Sequence, residues 1–353
     1  MKILGIESSC DETAASVVEL HDGGMFELHS NVIASSIDLH KVYGGVVPEI
    51  AARSHIEHIM LVINEAIDDW NSIDAIAVTY GPGLGGSLLV GVLTARTLAI
   101  IKNKPLHAVN HVMAHPFATF ITKSVTEALE LPGDAPQFPM LALIVSGGHS
   151  QLVLFTGPFE YKLLGRTRDD AIGEAFDKVA KILGLPYPGG PSVAKNATFG
   201  DPNSFNFPKS RLENPYDLSF SGLKTAVLRT AQSLVGKDHT FPSSQLARLL
   251  SDEQKANISA SFQKISLETL VDKTILACHE FAPKSVVVSG GVASNTELRR
   301  QLAERLPLEP IYTDIKLCTD NGAMIAVLGA FMKQNNLPSA DPYKLEINPS
   351  LSM

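Results

Sequence analysis

The sequence predicts an α/β protein of two related lobes, and three observations carry that prediction. Short β-branched strands alternate with helical stretches along the chain; two short hairpins open two similar series of elements; and each series closes on a strand, a glycine turn and a helix. At 353 residues the chain suits two domains or a little more, and 45% apolar against 19% charged residues allows a large core. Glycine (26) and proline (21) scattered throughout exclude a coiled coil.

The first series begins with the strand Ile3–Ile6, a polar turn from Ser8 to Thr13 and a return strand over Ala14–Val18. Glu49 to Trp70 carries Ile56, Ile59, Met60, Ile63, Ile67 and Trp70 at helical spacing. Ile73–Thr79 is a strand, followed by the glycine turn Gly81–Ser87 and a helix through Ile101. The second series repeats this. Met140–Val145 is a strand, Ser146–Ser150 its turn and Gln151–Phe155 the return; a helix runs over Ile172–Leu183; and Ser285–Val288, a turn from Ser289 to Val292 and a helix over Thr296–Glu304 end it. Prolines mark breaks at 131–139 and 201–217, and residues 338–353 read as a loosely held tail.

Three cysteines with no CxxC exclude a disulfide framework and a cysteine zinc site, which suits a reducing compartment. Met1–Ile6 meets Glu7 too soon for a secretion signal, and the longest apolar stretch, Leu88–Ile101, is interrupted by Thr94, Arg96 and Thr97. The expectation is a cytoplasmic protein that uses no membrane. A net charge of −8 argues against coating nucleic acid by bulk electrostatics, although no acidic residue lies between Ala75 and Thr126.

Among the motifs, Gly81, Gly83 and Gly86 satisfy GxGxxG, but the acid needed for a ribose some twenty residues on is missing, and so is the lysine of a P-loop. Ser146-Gly147-Gly148 is different: small residues at a hairpin tip expose backbone N–H groups to an anion, and Ser8-Ser9 holds the matching tip of the first series. His111 and His115 have the i, i+4 spacing of a metal pair. Val112 replaces the general-base glutamate of a zinc peptidase, and Pro116 constrains the helix beyond. Asp320 is the third candidate ligand, with helix N-capping as its alternative role; two histidines and a carboxylate suit Fe(II) or a similar ion. Asp177 and Lys181 are spaced for a solvated ion pair, Tyr187–Pro191 forms a rigid turn with two free amides, and Ser219–Lys224 opens a helix.

Taken together, Gly5–Thr13, Gly44–Ala51, Gly81–Ser87, Asn110–His115, Val145–His149, Gly173–Lys178, Tyr187–Pro191, Ser219–Thr225, Gly290–Asn295 and Cys318–Ala323 resemble the TsaD family. The resemblance runs in order from Met1 to about residue 333. It implies an actin-like ATPase fold, a duplicated RNase H-like arrangement, with residues 1–115 completed by 320–340 as one lobe, 116–319 as the other and 341–353 as a tail. It implies transfer of threonylcarbamoyl from threonylcarbamoyl-AMP to N6 of adenosine 37 in tRNAs reading codons that begin with A. It further implies His111, His115 and Asp320 as metal ligands, with Fe(2+) expected and Zn or Mg able to stand in. Ile144, Val145, Ser146, Gly147 and Gly148 would then contact the donor's phosphate and carbamoyl region, with Asp177, Gly190 and Asn295 holding its nucleoside. The implied partners are tRNA, a TsaB-like paralogue on the first lobe and a TsaE-like ATPase. No general base is assigned. The competing readings are a small-molecule kinase, a peptidase and a non-catalytic scaffold; the first needs no histidine pair, Val112 counts against the second, and the retained ligands count against the third.

Overall fold

The computed structural model describes residues 1–126 and 128–353. They form two compact units, Met1–Pro136 with Ile311–Met353, and Gln137–Pro310.

In the first unit, β1 (Lys2–Glu7), β2 (Glu12–Leu20) and β3 (Phe26–Ser35) form an antiparallel meander. β4 (Ala75–Gly81) and β5 (Leu106–Asn110) add parallel strands beside β1, and β6 (Ile121–Ser124) joins β3, giving the order β5-β4-β1-β2-β3-β6. Helices cover both faces, which is why β1 reads as an unbroken apolar run. On one face, Pro48–Ala66 and Gly85–Lys102 pack Ile59, Ile63, Val92 and Leu98 against Leu4, Ile6 and Val78. On the other, Gly322–Gln334 lies so close that a Cβ on Gly5 would stand 2.0 Å from the Gly322 carbonyl oxygen, so both positions need glycine.

The second unit repeats the plan. β7 (Met140–Val145), β8 (Ser150–Phe155) and β9 (Tyr161–Arg166) form a meander; β10 (Ser285–Ser289) pairs in parallel with β7, and β11 (Pro310–Ile311) lies outside it. The order β11-β10-β7-β8-β9 matches the first unit strand for strand up to β3. Helices Ile172–Leu183, Gly189–Ala197, Ser221–Leu234 and the 30-residue Asp252–Phe281 follow the meander, and Thr296–Arg305 follows β10.

Several expectations are corrected. The boundary expected at 115/116 falls inside the first unit, because Phe117 and Phe120 pack on Phe26 and Phe331 and β6 pairs with β3. Residues 311–319 also belong to that unit. The first helix ends at Ala66 and not Trp70, since Asp69 caps a separate 3₁₀ turn. The tail is held: the Arg96 guanidinium donates to the carbonyls of Pro342, Tyr343 and Leu345, and Asn348 N–H donates to Tyr80 O. Gly85–Lys102 is long and apolar enough to cross a membrane by length and composition. Its Leu88, Val92, Ala95 and Ala99 side is core, however, while Leu89, Leu93 and Ile101 point outward.

Candidate metal centre and open glycine tip

β5 ends at Asn110, whose side chain caps the next turn by accepting Met113 N–H at 3.0 Å and so sets His111 as its first helical residue. The α-turn stops at Ala114, and Pro116 starts a 3₁₀ turn with His115, so the pair spans a helix junction and not one straight helix. The rings still meet, with centroids 4.8 Å apart. Asp320 arrives from just before the helix Gly322–Gln334, where Asn321 takes the capping role by accepting Met324 N–H. Freed from capping, Asp320 Oδ1 stands 3.6 Å from His111 Nε2 and 3.4 Å from His115 Nε2. The three donor atoms lie within 4.8 Å of one another, close enough to bind one ion, and two imidazoles with one carboxylate suit a divalent iron-class metal with open positions.

The support behind these ligands escaped the sequence reading. Glu7, fully buried at the end of β1, places Oε2 3.1 Å from His111 Nδ1. Thr79 donates to the same carboxylate and Ser9 N–H to its other oxygen. A carboxylate on Nδ1 leaves Nε2 for a metal, the usual arrangement behind a metal-bound histidine. Burial opposes charge on both partners, yet Asp320 and Glu7 outweigh it and hold His111 up at about 9, while His111 and the hydrogen bonds bring Glu7 down to about 2. Burial and the nearby carboxylates of Glu7 and Asp11 raise Asp320 to about 6, and burial, Asp11 and Asp320 push Glu12 up to about 10. A site this rich in carboxylates is built to receive positive charge. The signal in the sequence was an acid directly after an apolar strand.

The Ser8-Ser9 tip is not an open anion site. Both residues are buried, Ser8 Oγ donates to Ser87 O, and Ser9 O accepts Leu84 N–H. The glycine turn lies directly on it, since a Cβ on Gly83 would come 2.6 Å from Ser9 O.

In the second unit, Ile144 and Val145 are buried at the end of β7, and the turn closes with Ser146 N–H donating to His149 O. Gly147 and Gly148 are exposed, with open space where a Cβ would be. Backbone closes in from two sides. Glu174 N–H, in the first turn of Ile172–Leu183, donates to Gly147 O; Gly290, at φ +90°, would place a Cβ 2.4 Å from Val145 O. Helix N-terminus and bare amides together favour an anion. Asp177 pairs not with Lys181 but with Gly189 N–H, which donates to Oδ1 at 2.6 Å; burial raises its pKa. Gly190 follows at the start of the next helix with its Cα face open. Asn295 caps Thr296–Arg305 through Oδ1 and donates Nδ2 to Gln263, beside a cavity of about 480 Å³ lined by Gln263, Lys264, Thr296 and Arg300. Ser219–Lys224 is tied to Asp169 and Asp170, with Lys224 Nζ 3.4 Å from Asp170.

This duplicated sheet order defines an actin-like fold, and solved structures agree. The chain superposes on full-length HypF in its phosphate- and nucleotide-bound form with a TM-score of 0.58 at 14% identity, over 96% of this chain and 47% of that one. With HypF of T. kodakarensis the score is 0.59 at 14% identity, over 95% and 48%. Within that fold the chain belongs to the TsaD family, the tRNA N6-adenosine threonylcarbamoyltransferases, whose sequence profile matches residues 27–327, and it is a transferase enzyme. Relatives bearing that name include those of Symbiobacterium thermophilum (48% identical, covering 94% of this chain and 91% of the relative), Thermomicrobium roseum (46%, 96% and 93%) and Dehalococcoides mccartyi (45%, 100% and 99%).

Proposed function

We propose that this chain moves the threonylcarbamoyl group from threonylcarbamoyl-AMP to N6 of adenosine 37 in tRNAs that read codons beginning with A. The N6 lone pair attacks the carbamoyl carbonyl carbon, the bond from that carbon to the phosphate oxygen breaks, AMP leaves and N6 gives up a proton. Adenosine 37 lies in a single-stranded loop, so its amine is presented without opening a duplex. An aromatic amine is a weak nucleophile, and positioning therefore supplies much of the rate.

His111, His115 and Asp320 hold a divalent ion in this proposal, Fe(2+) by donor chemistry, with Zn or Mg able to substitute in vitro. Bound there, the ion supplies Lewis-acid charge for a departing phosphate. Glu7 keeps His111 oriented with Nε2 turned to Asp320. Ile144 to Gly148 receive the donor's phosphate and carbamoyl oxygens on backbone N–H groups. Asp177, Gly190 and Asn295 bound its nucleoside, Asn295 acting by position because its side chain is already engaged. The observation that carries this reading is the meeting of three ligand atoms from two distant chain segments in a chain of this family.

The partners proposed are a TsaB-like paralogue and a TsaE-like ATPase, in the cytoplasm and without a membrane. Ile56, Met60 and Leu61 on Pro48–Ala66, with Leu89, Leu93 and Ile101 on Gly85–Lys102, are exposed apolar side chains on adjacent helices, and that face suits a helical surface of the paralogue. The test is transfer in vitro from synthetic threonylcarbamoyl-AMP to unmodified tRNA with both partner proteins, read by mass spectrometry of digested nucleosides. Modified nucleoside that disappears with His111→Ala supports the proposal; none, with the donor intact and a known family member active in parallel, overturns it.

A further inference from the structure

A second set of metal donors lies in the first unit, at the other end of its sheet. Glu19 on β2 and Glu27 on β3 are directly opposed across the antiparallel pair. Like charges so placed repel and weaken a sheet unless a cation joins them. They stand some seven residues along β2 from Glu12, roughly 23 Å of strand, and so apart from His111, His115 and Asp320.

The chain around this pair is shaped to bring imidazole to it. The β2–β3 register jumps from Val17 opposite Ser30 to Val18 opposite Leu28, leaving His29 as the extra residue of a bulge. Bulges re-aim side chains. His29 Nε2 lies 2.8 Å from Glu19 Oε2 and 3.7 Å from Glu27 Oε2. From the turn joining the strands, His21 Nε2 stands 2.8 Å from the same Glu27 oxygen. Donor atoms of a tetrahedral zinc site, bonded at ~2.0–2.1 Å, are about 3.3 Å apart. The observed separations bracket that edge. The only cation beside the carboxylates among the described residues, apart from the imidazoles, is Lys2, whose Nζ is 3.6 Å from Glu19, leaving Glu27 to the two imidazoles.

We propose that Glu19, Glu27 and His29, completed by His21, form a second divalent-metal site that staples the β2–β3 hairpin. Imidazole and carboxylate donors select an ion of the zinc class over calcium or magnesium, which prefer oxygen alone. All four side chains are partly exposed, so the ion reaches the site from solution and water can fill a remaining position.

The probe is zinc itself, added to the untagged full chain after chelator stripping, with metal per chain measured by elemental analysis and unfolding followed by scanning calorimetry. Wild type is expected to retain about two equivalents, and the double variant His29→Ala/Glu27→Gln about one. Zinc should raise the unfolding midpoint of His111→Ala, and this shift should vanish when His29→Ala is added. If His111→Ala does not fold, the wild-type and His29→Ala/Glu27→Gln comparison decides alone. Equal zinc uptake and equal midpoint shifts in those two overturn the proposal. A single equivalent lost with His111→Ala overturns it as well; a single equivalent lost with His29→Ala supports this site and counts against the histidine–aspartate centre.

Discussion

The two units share a sheet order and differ in what they place at the end of the first strand. β1 ends on Glu7, a buried acid held by Thr79, Ser9 and His111; β7 ends on Val145, followed by Ser146 and two exposed glycines with open space where a Cβ would be. In the first unit the hairpin tip is covered, with Gly83 and Leu84 laid on Ser9 and the tail bonded to Gly83. In the second the tip glycines are exposed, with Gly290 against the base of the turn and Glu174 N–H bonded to Gly147 O. One fold thus presents titratable side chains on one unit and backbone amides on the other.

The largest expected effect tests the side-chain half. His111→Ala should lower threonylcarbamoyl transfer by about a thousandfold, as loss of a principal charge-stabilising group does, with loss of bound metal measured in the same preparation. Next is the group behind it. Glu7→Gln keeps the shape and removes the charge, and it should weaken metal affinity about 10- to 100-fold in a chelator competition. Unchanged affinity would mean that Glu7 serves the fold alone.

Glycine substitutions sharpen the contrast between covered and bare tips. Gly290→Ala places a Cβ 2.4 Å from Val145 O at a positive φ and should cost about 2–4 kcal/mol of stability in denaturant titration. Gly148→Ala meets open space and should leave the denaturation midpoint unchanged, while its methyl group screens the amides and raises the donor KM about tenfold. A stability loss at Gly148 would show that its tip is packed after all.

What the sequence disclosed follows from how local the physics is. The hairpins and the β4 and β10 glycine turns were legible because apolar runs and glycines mark them within ten residues. His111 and His115 were legible as a spaced pair; Asp320 came with the motif, two hundred residues away. Asp252–Phe281 was missed because it is buried on several sides and lines its core with Ser259, Ser261, Ser266 and Thr274, so no apolar stripe forms; the Ser251–Gln254 capping box was its one local sign. The covered state of Ser8-Ser9 was illegible, since it depends on contacts from Leu84 and Ser87. Ile56 and Met60 fit the helical period but face outward, because periodicity finds an apolar face without saying what covers it.

The smallest expected effect concerns a buried histidine outside the metal centre. His107 on β5 is 2% exposed and neither ring nitrogen has a hydrogen-bond partner. Burial, reinforced by Lys333, lowers its pKa to about 4 from 6.5. The folded state therefore keeps His107 neutral where the unfolded chain would bind a proton. Stability is undiminished above pH 6.5 and falls as pH drops from about 6.5 towards 4, with no further loss below. His107→Leu removes that linkage, so its denaturation midpoint should fall less than wild type's across this window and run parallel to it above pH 7. Parallel curves throughout would mean that His107 titrates normally and that the first unit admits water at β5.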